Sequence, residues 1–459
     1  MACAIARSLI NDEKALQIRS LLCMTPEIKK TRYNRDVETN PIDCYQIIDG
    51  VVHLPMAFGK KILDISNEQN KYPETGLAFT GNLRDYQVKV EEEAWQQMKT
   101  YGSTTLGLYP GFGKTILGAK LAARAKLLTI VLVTSTVLLG QWKKTFEDNT
   151  NSKDKIWIVG EKTPPTKCSV IICMDTRYEQ IPVELRNKCG VLIIDEAHQF
   201  CTPSRINSIL AFHPKYVVIE SGSLEREDGM EKFIYAVAGT HNILRESEKP
   251  FTVYKIITHV KPKRVKTRTG DTNYAELQKS ILFDERRNEI ILESIKSNLK
   301  FKILILTSLV DHARLLHDRL ELAGVSCDYL CGNKKGYSDS NVLVGTTSKI
   351  GTGFDPATSC PNYNGLPFDL LYIVSTIKKE SMLVQNVGRC FRADFPTVMH
   401  FVDDDTIYQS HWYRCKKWYE RRYGNIIEFK YPKPPEPKEL TDEEWTKAKI
   451  AELKKKNKT

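Results

Sequence analysis

Long apolar runs are missing from this 459-residue chain. The longest, such as Leu127–Val133 and Val191–Ile194, fall far short of the ~20 residues a membrane span requires. Paired cysteine ligands are missing as well. Twelve cysteines occur, but no C-x-x-C does, and Cys327 and Cys331 have no His or Cys partner close by in sequence. That excludes the usual zinc spacings and leaves buried free thiols in a reducing compartment as the expectation. No repeat of roughly 20–50 residues is visible, which excludes solenoids and propellers. The start, MACAIARSLINDEKALQ, has no basic region and turns acidic at Asp12 and Glu13, so no secretory signal is expected.

What is present is an ordinary core-forming composition, 41% apolar, with 67 Lys plus Arg against 56 Asp plus Glu and a net charge of +11. Disordered tails and fibres are excluded by it. The surplus is compatible with an anionic polymer as partner, yet charges of both signs mostly cover a solvated surface. At roughly 100–200 residues per domain, two to four domains are expected.

Residues 1–80 read as a small accessory module, with a helix over Glu13–Leu22 and a hairpin in which YQII and VVHL flank Asp49–Gly50. From 81 to 246 short Val- and Ile-rich strands (LTIVLVT, SVIIC, GVLIIDE, YVVIE) alternate with helices over Thr115–Ala125 and Val137–Phe146. This is βαβ patterning and predicts a parallel sheet covered by helices. Residues 247–285 read as a polar, basic connection. A second α/β block, 286–430, has strands FKILILT, CDYL, NVLVGT, LLYIVST and TVMHFV, with helices over Asp311–Ala323 and Ser381–Phe391. Beyond it, 431–459 is a charged Pro/Lys-rich tail. Two α/β halves make the cleft between them the expected ligand site.

The segment Leu108-Tyr-Pro-Gly-Phe-Gly-Lys114-Thr115 follows a strand-like stretch and opens a helix. A phosphate-binding loop needs glycines that let backbone N–H groups turn around an oxyanion, a Lys for the β and γ phosphates, and a hydroxyl for Mg²⁺. Gly111, Gly113, Lys114 and Thr115 supply them, although the strict pattern has Gly where Leu108 stands. Further on, GVLII runs into Asp195-Glu196-Ala197-His198. Asp195 is placed to hold Mg²⁺ through water, and Glu196 to orient and deprotonate the attacking water. An Asp that caps the next helix is the plainer alternative. In the second half, QNVGRCFR sets Arg389 and Arg392 three residues apart on one helical face. They read either as a solvated basic face or as guanidiniums that reach across the cleft to the γ-phosphoryl group.

Together these segments resemble a superfamily 2 helicase of the DEAH-box kind, whose core is two tandem RecA-like domains. LRDYQ at Leu83–Gln87 resembles the motif upstream of the P-loop, LYPGFGKT motif I, VLVTSTVLLGQW motif Ia, IIDEAH motif II, VLVGTTSKIGTGFD motif V and QNVGRCFR motif VI. LRDYQ, Gln141–Trp142 and DERRN at Asp284–Asn288 are similar to the branch of excision-repair helicases and the poxvirus transcript-release DNA helicase. A large DNA virus is the expected source. The resemblance implies ATP and Mg²⁺ as cofactors. It places Gln87 (at the adenine edge), Gly111, Gly113, Lys114, Thr115, Asp195, Gly353, Asp355 and Gln385 around the nucleotide, with Thr115 and Asp195 at the metal. It makes Lys114, Glu196, Arg389 and Arg392 the catalytic groups. Motif III departs from the family, reading Ser221-Gly222-Ser223 where Ser/Thr-Ala-Thr is usual, which puts strand separation more in question than hydrolysis.

The resemblance also implies polymer contacts at Thr134, Gln141, Thr176, Arg177, Thr346 and Thr347, although ordinary turn capping suits these residues equally. His411–Gly424 interleaves aromatics with cations, as single-strand binders do, and a helix packing its aromatics on the second half is the plainer alternative. The expected activity is an ATP-dependent helicase or translocase in a reducing intracellular compartment (host cytoplasm, nucleus or virion). DNA is favoured over RNA as its partner, with transcription or repair proteins as further candidates. An RNA helicase, a translocase that does not unwind, and a scaffold with a dead nucleotide site are the alternatives.

Overall fold

The computed structural model describes residues 3–27, 39–63, 72–161, 167–222, 226, 228–351 and 354–432. Gly353, Ser223 and the tail from 433 on lie outside them. Two seven-stranded sheets dominate, and every pairing within each is parallel. The first runs in the order Ile243–Arg245, Ser103–Leu108, Tyr216–Ser221, Val191–Asp195, Thr129–Val133, Val170–Met174, Ile156–Ile158. Its central strands are buried on both faces, as Val/Ile-rich parallel strands must be. Because all strands point one way, Leu108, Val133, Met174, Asp195 and Ser221 end at the same sheet edge. In open parallel sheets that edge is where ligands bind. The second sheet runs Cys327–Leu330, Val342–Thr346, Ile303–Thr307, Leu370–Ile373, Thr397–Val402, Phe251–Ile257, Gly424–Lys430. These are the parallel sheets that the βαβ patterning predicts, in the tandem RecA-like architecture that the resemblance implies.

Two expected regions are drawn differently by the fold. Phe251–Ile257 is a strand between Thr397–Val402 and Gly424–Lys430, so the second sheet takes in part of the expected connection at 247–285. Its inward positions are Phe251, Val253 and Ile256, and the polar Thr252 and Lys255 between them conceal the strand in the sequence. The N-terminal hairpin forms as expected: Gln46–Ile48 pairs with Val51–Leu54, and Asp49 and Gly50 both adopt positive φ (49° and 74°). A two-residue turn of this hand matches the twist of the strands it joins. The module is not a separate body, however. Ile18, Leu22, Val52, Leu54 and Met56 share one apolar core with Leu192, Ile194, Phe200 and Phe233 of the first half.

The helix Thr406–Arg421 buries Trp412, Trp418 and Tyr419 against the second sheet and leaves Tyr413 exposed. The aromatics of His411–Gly424 are therefore mainly core, the plainer of the two expectations.

Candidate nucleotide-binding cleft

The loop after Ser103–Leu108 turns on Gly111 and Gly113, whose φ values of 89° and 99° suit only glycine comfortably. Lys114 then opens the helix Lys114–Ala125, which aims the first-turn N–H groups at the loop. Gln87 holds this loop from below. Its Nε2 donates to the Phe112 carbonyl at 2.7 Å, and its Oε1 accepts from the Arg84 N–H at 2.9 Å. Gln87 is 3% exposed, so in this state it braces the loop. The Lys114 ammonium donates to the Leu108 carbonyl at 3.1 Å. A Cβ on Gly222 would lie 3.9 Å from the same ammonium, so motif III borders the lysine.

Asp195 ends its strand at 4% exposure and accepts the indole N–H of Trp142 at 2.9 Å. Burial first, then the neighbouring Glu196, pushes its carboxyl up to about 7, against the pull of the Trp142 hydrogen bond and the Lys114 charge. Glu196 follows in the left-handed region (φ 51°, ψ 48°), a conformation a non-glycine residue adopts only at a cost of order 1–3 kcal/mol. That turn carries its side chain out of the strand. Its Oε2 is buried, 3.4 Å from His198 Nδ1, with no hydrogen-bond partner among the described residues. His198 Nδ1 also meets Ser221 Oγ at 3.0 Å.

Sequence reasoning missed three residues here. Glu220 is the register partner of Asp195 and is fully buried, and neither of its oxygens makes a hydrogen bond of normal geometry among the described residues. Desolvation, then the Asp195 charge, holds its carboxyl well above the usual range. Gly118 is the point where the P-loop helix passes over it: a Cβ there would lie 2.5 Å from Glu220 Oε1 and 2.8 Å from the Trp142 ring. Trp142 is the third. The available signal was that YVVIE, like GVLIIDE, ends a buried strand on a carboxylate.

The second half closes over the loop. A Cβ on Gly388 would lie 2.4 Å from Pro110 Cβ, so the Gly388 backbone lies against the Pro110 ring where only glycine fits. Arg389 donates to the carbonyls of Phe354 (2.7 Å) and Gly351 (2.6 Å), and burial draws its guanidinium down to about 10 while Glu196 opposes that shift. Arg392, more exposed, pairs with Asp355 at 3.0 Å, and its Cγ lies 4.0 Å from the Cβ position of Gly111. Beside these contacts a cavity of about 350 Å³ opens between the halves, lined by Tyr109, Pro110, Gly222, Glu246, Val384 and Arg422 among others. Gln385 is half-buried on the helix Glu380–Val387.

The expected polymer-contact residues divide. Thr134 stands at the sheet edge and donates to Gln199 Oε1 at 3.0 Å. Thr176 and Arg177 are exposed beyond the end of Val170–Met174. Thr346 is buried beneath Ser348, whose Oγ donates to it at 3.3 Å, and Thr347 beside it is half-buried. Gln141 turns inward, its Nε2 donating to Thr115 Oγ1 at 3.4 Å.

The set suits a nucleotide with a hydrated divalent cation: glycine-turned N–H groups, an ammonium, a hydroxyl, and the buried Glu196 Oε2 left without a partner among the described residues.

A family model described as "Type III restriction enzyme, res subunit" matches residues 80–226. Among proteins of known sequence, the chain is 26% identical over 414 residues to the 161L protein of Invertebrate iridescent virus 6, whose name marks it as a helicase candidate. That match covers 84% of this chain and 91% of the relative. It is 24% identical over 405 residues to the transcript termination protein A18 of Yaba-like disease virus, covering 77% and 78%. Among solved structures, S. cerevisiae Dbp5 bound to RNA and ADP BeF3 matches with a TM-score of 0.53 at 15% identity, over 80% of this chain and 93% of that one.

Proposed function

We propose that this chain, a superfamily 2 helicase that hydrolyses ATP, uses the DEAH-type site between its two sheets to drive movement along DNA during viral transcription or repair. The observation that carries the reading is the meeting of both halves at one loop, with Gly388 against Pro110 and Arg389 lining a pocket with Gly111.

Lys114 would leave the Leu108 carbonyl for the β and γ phosphates, and Gly111 and Gly113 would present backbone N–H groups to them. Thr115 and Asp195 would hold Mg²⁺, which would supply neutralisation of the phosphate charge. Glu196, its Oε2 free of hydrogen bonds among the described residues, would orient the attacking water and take its proton. Arg389 and Arg392 would offset charge on the γ-phosphoryl group from the far side. Closure on ATP and reopening after hydrolysis would shift the halves relative to each other, a change driven by nucleotide contacts that differ between the two states.

Support for a role in transcription comes from the likeness to A18, a transcript termination protein, while the choice of DNA rests on the sequence resemblance alone. The solved likeness to Dbp5 with RNA bound favours an RNA substrate as the second reading. Phosphate release measured with single-stranded DNA and with RNA of matched length decides between them: DNA should stimulate more, and stimulation by RNA alone would overturn the choice of polymer. A triplex-displacement assay beside a duplex-displacement assay separates translocation from unwinding.

A further inference from the structure

The helix Thr136–Asn149 carries two consecutive side chains that each grip one group of the candidate metal site. Trp142 donates its indole N–H to Asp195 Oδ2 at 2.9 Å, and Gln141 donates its amide to Thr115 Oγ1 at 3.4 Å. Neighbouring helix positions point about 100° apart, which lets one turn reach both a strand end, at Asp195, and the first turn of the helix Lys114–Ala125, at Thr115. Trp142 is completely buried, and its ring lies 5.8 Å from that of Phe146 and against Gly118 of the P-loop helix. Its rotamer is thus fixed by packing, not by the carboxylate it serves.

The chemistry of the pair is selective. Indole is a donor only and carries no charge, so it can orient a carboxylate without competing for a cation. With Oδ2 committed to Trp142, the other Asp195 oxygen is left for the metal's water shell. Gln141, by donating to Thr115 Oγ1, leaves lone-pair capacity on that hydroxyl for the metal. Partners of this kind, one step removed from the metal, commonly change its affinity by about 10–100-fold when lost.

We propose that Trp142 and Gln141 are positioning residues for the divalent cation, Trp142 fixing the orientation of Asp195 and Gln141 that of Thr115. The inference rests on the assignment of Thr115 and Asp195 as metal-site residues made above. It gives Gln141 an inward role in place of the polymer contact expected from sequence, and Trp142 a role where sequence showed none.

The test is Mn²⁺ binding to the full chain in the presence of ADP, followed by the loss of the free-ion electron paramagnetic resonance signal. Trp142→Phe keeps most of the ring packing and removes the donor. Gln141→Met keeps length and removes the amide. Each should weaken Mn²⁺ by about 10-fold or more while metal-free ADP affinity stays within about twofold. Gln141 is only half-buried, so its variant answers the question even where Trp142→Phe does not fold. Asp195→Asn is the control. If it loses Mn²⁺ while both positioning variants bind within about twofold of the unaltered chain, the positioning role is overturned and the metal assignment stands. An equal loss of metal-free ADP affinity in the variants would show a structural role only, and also overturns it. If Asp195→Asn itself binds Mn²⁺ normally, the metal assignment fails and this inference with it.

Discussion

His198 Nδ1 and Ser221 Oγ lie 3.0 Å apart, joining the segment that carries Glu196 to the strand end that carries motif III. Burial lowers the imidazole from its ordinary value, so at neutral pH this is a bond between uncharged groups. Such bonds contribute about 1 kcal/mol. Ser221→Ala should therefore leave the fold and ATP hydrolysis largely intact while lowering strand displacement. Parallel phosphate-release and displacement assays check this, and an equal fall in both would mean the bond serves hydrolysis alone.

Much of this site was legible in the sequence because its chemistry is local. Gly111, Gly113 and Lys114 follow one another along a single strand–turn–helix, and Asp195-Glu196 sits at the end of a run of Val and Ile. What was not legible depends on side chains that meet across strands. Trp142 and Asp195 are 53 residues apart, and an indole in an amphipathic helix reads as core. Glu220 finds Asp195 only through the register of two parallel strands. The strand Phe251–Ile257 was hidden for a similar reason: its partners, Thr397–Val402 and Gly424–Lys430, come from the far end of the chain.

Gly222 tests the motif III departure directly. Its φ is not in the left-handed region, and a Cβ there would meet the Lys114 ammonium at an ordinary 3.9 Å. Gly222→Ala should fold normally, with a gain of about 0.4–1 kcal/mol from the stiffer unfolded chain. Thermal melting reads the stability, and a displacement assay reads whether the family form of the motif improves coupling.

Gly118 tolerates no such change. A Cβ at 2.5 Å from Glu220 Oε1 and 2.8 Å from the buried Trp142 ring forces one of them to move. Overpacking of this kind costs about 1–3 kcal/mol. Gly118→Ala should lower the melting temperature and weaken nucleotide binding together, as read by melting with and without ADP.

Asp195 gives stability a pH dependence of defined sign. Its folded carboxyl is pushed up to about 7, above the unfolded value, so the folded state keeps a proton that the unfolded chain has lost. Its contribution is complete below about pH 4, the unfolded carboxylate range, and is lost as pH rises through about 7. Melted side by side over this range, the nucleotide-free protein should lose more stability with rising pH than Asp195→Asn does, since Glu220, His312 and His400 titrate in both.

Two histidines act in the opposite sense. Burial holds His312 and His400 down to about 3, with the Arg287 and Arg319 charges adding to the effect at His312. Their contribution is complete above the unfolded histidine value near 6.5 and is lost as pH falls toward 3. Acid unfolding monitored in His400→Gln should begin at lower pH than in the unaltered chain, provided the Tyr419 hydroxyl, 2.9 Å from the ring, is again satisfied.

The central claim is that Lys114 and Glu196 turn over ATP under control of a bound nucleic acid. The direct measurement is nucleic-acid-stimulated phosphate release by the unaltered chain, Lys114→Ala and Glu196→Gln, with circular dichroism to confirm the fold. The account predicts stimulated release by the first and a fall of about 10²-fold or more in each variant. Normal turnover by either variant, or no release by the unaltered chain with any polymer, would contradict it.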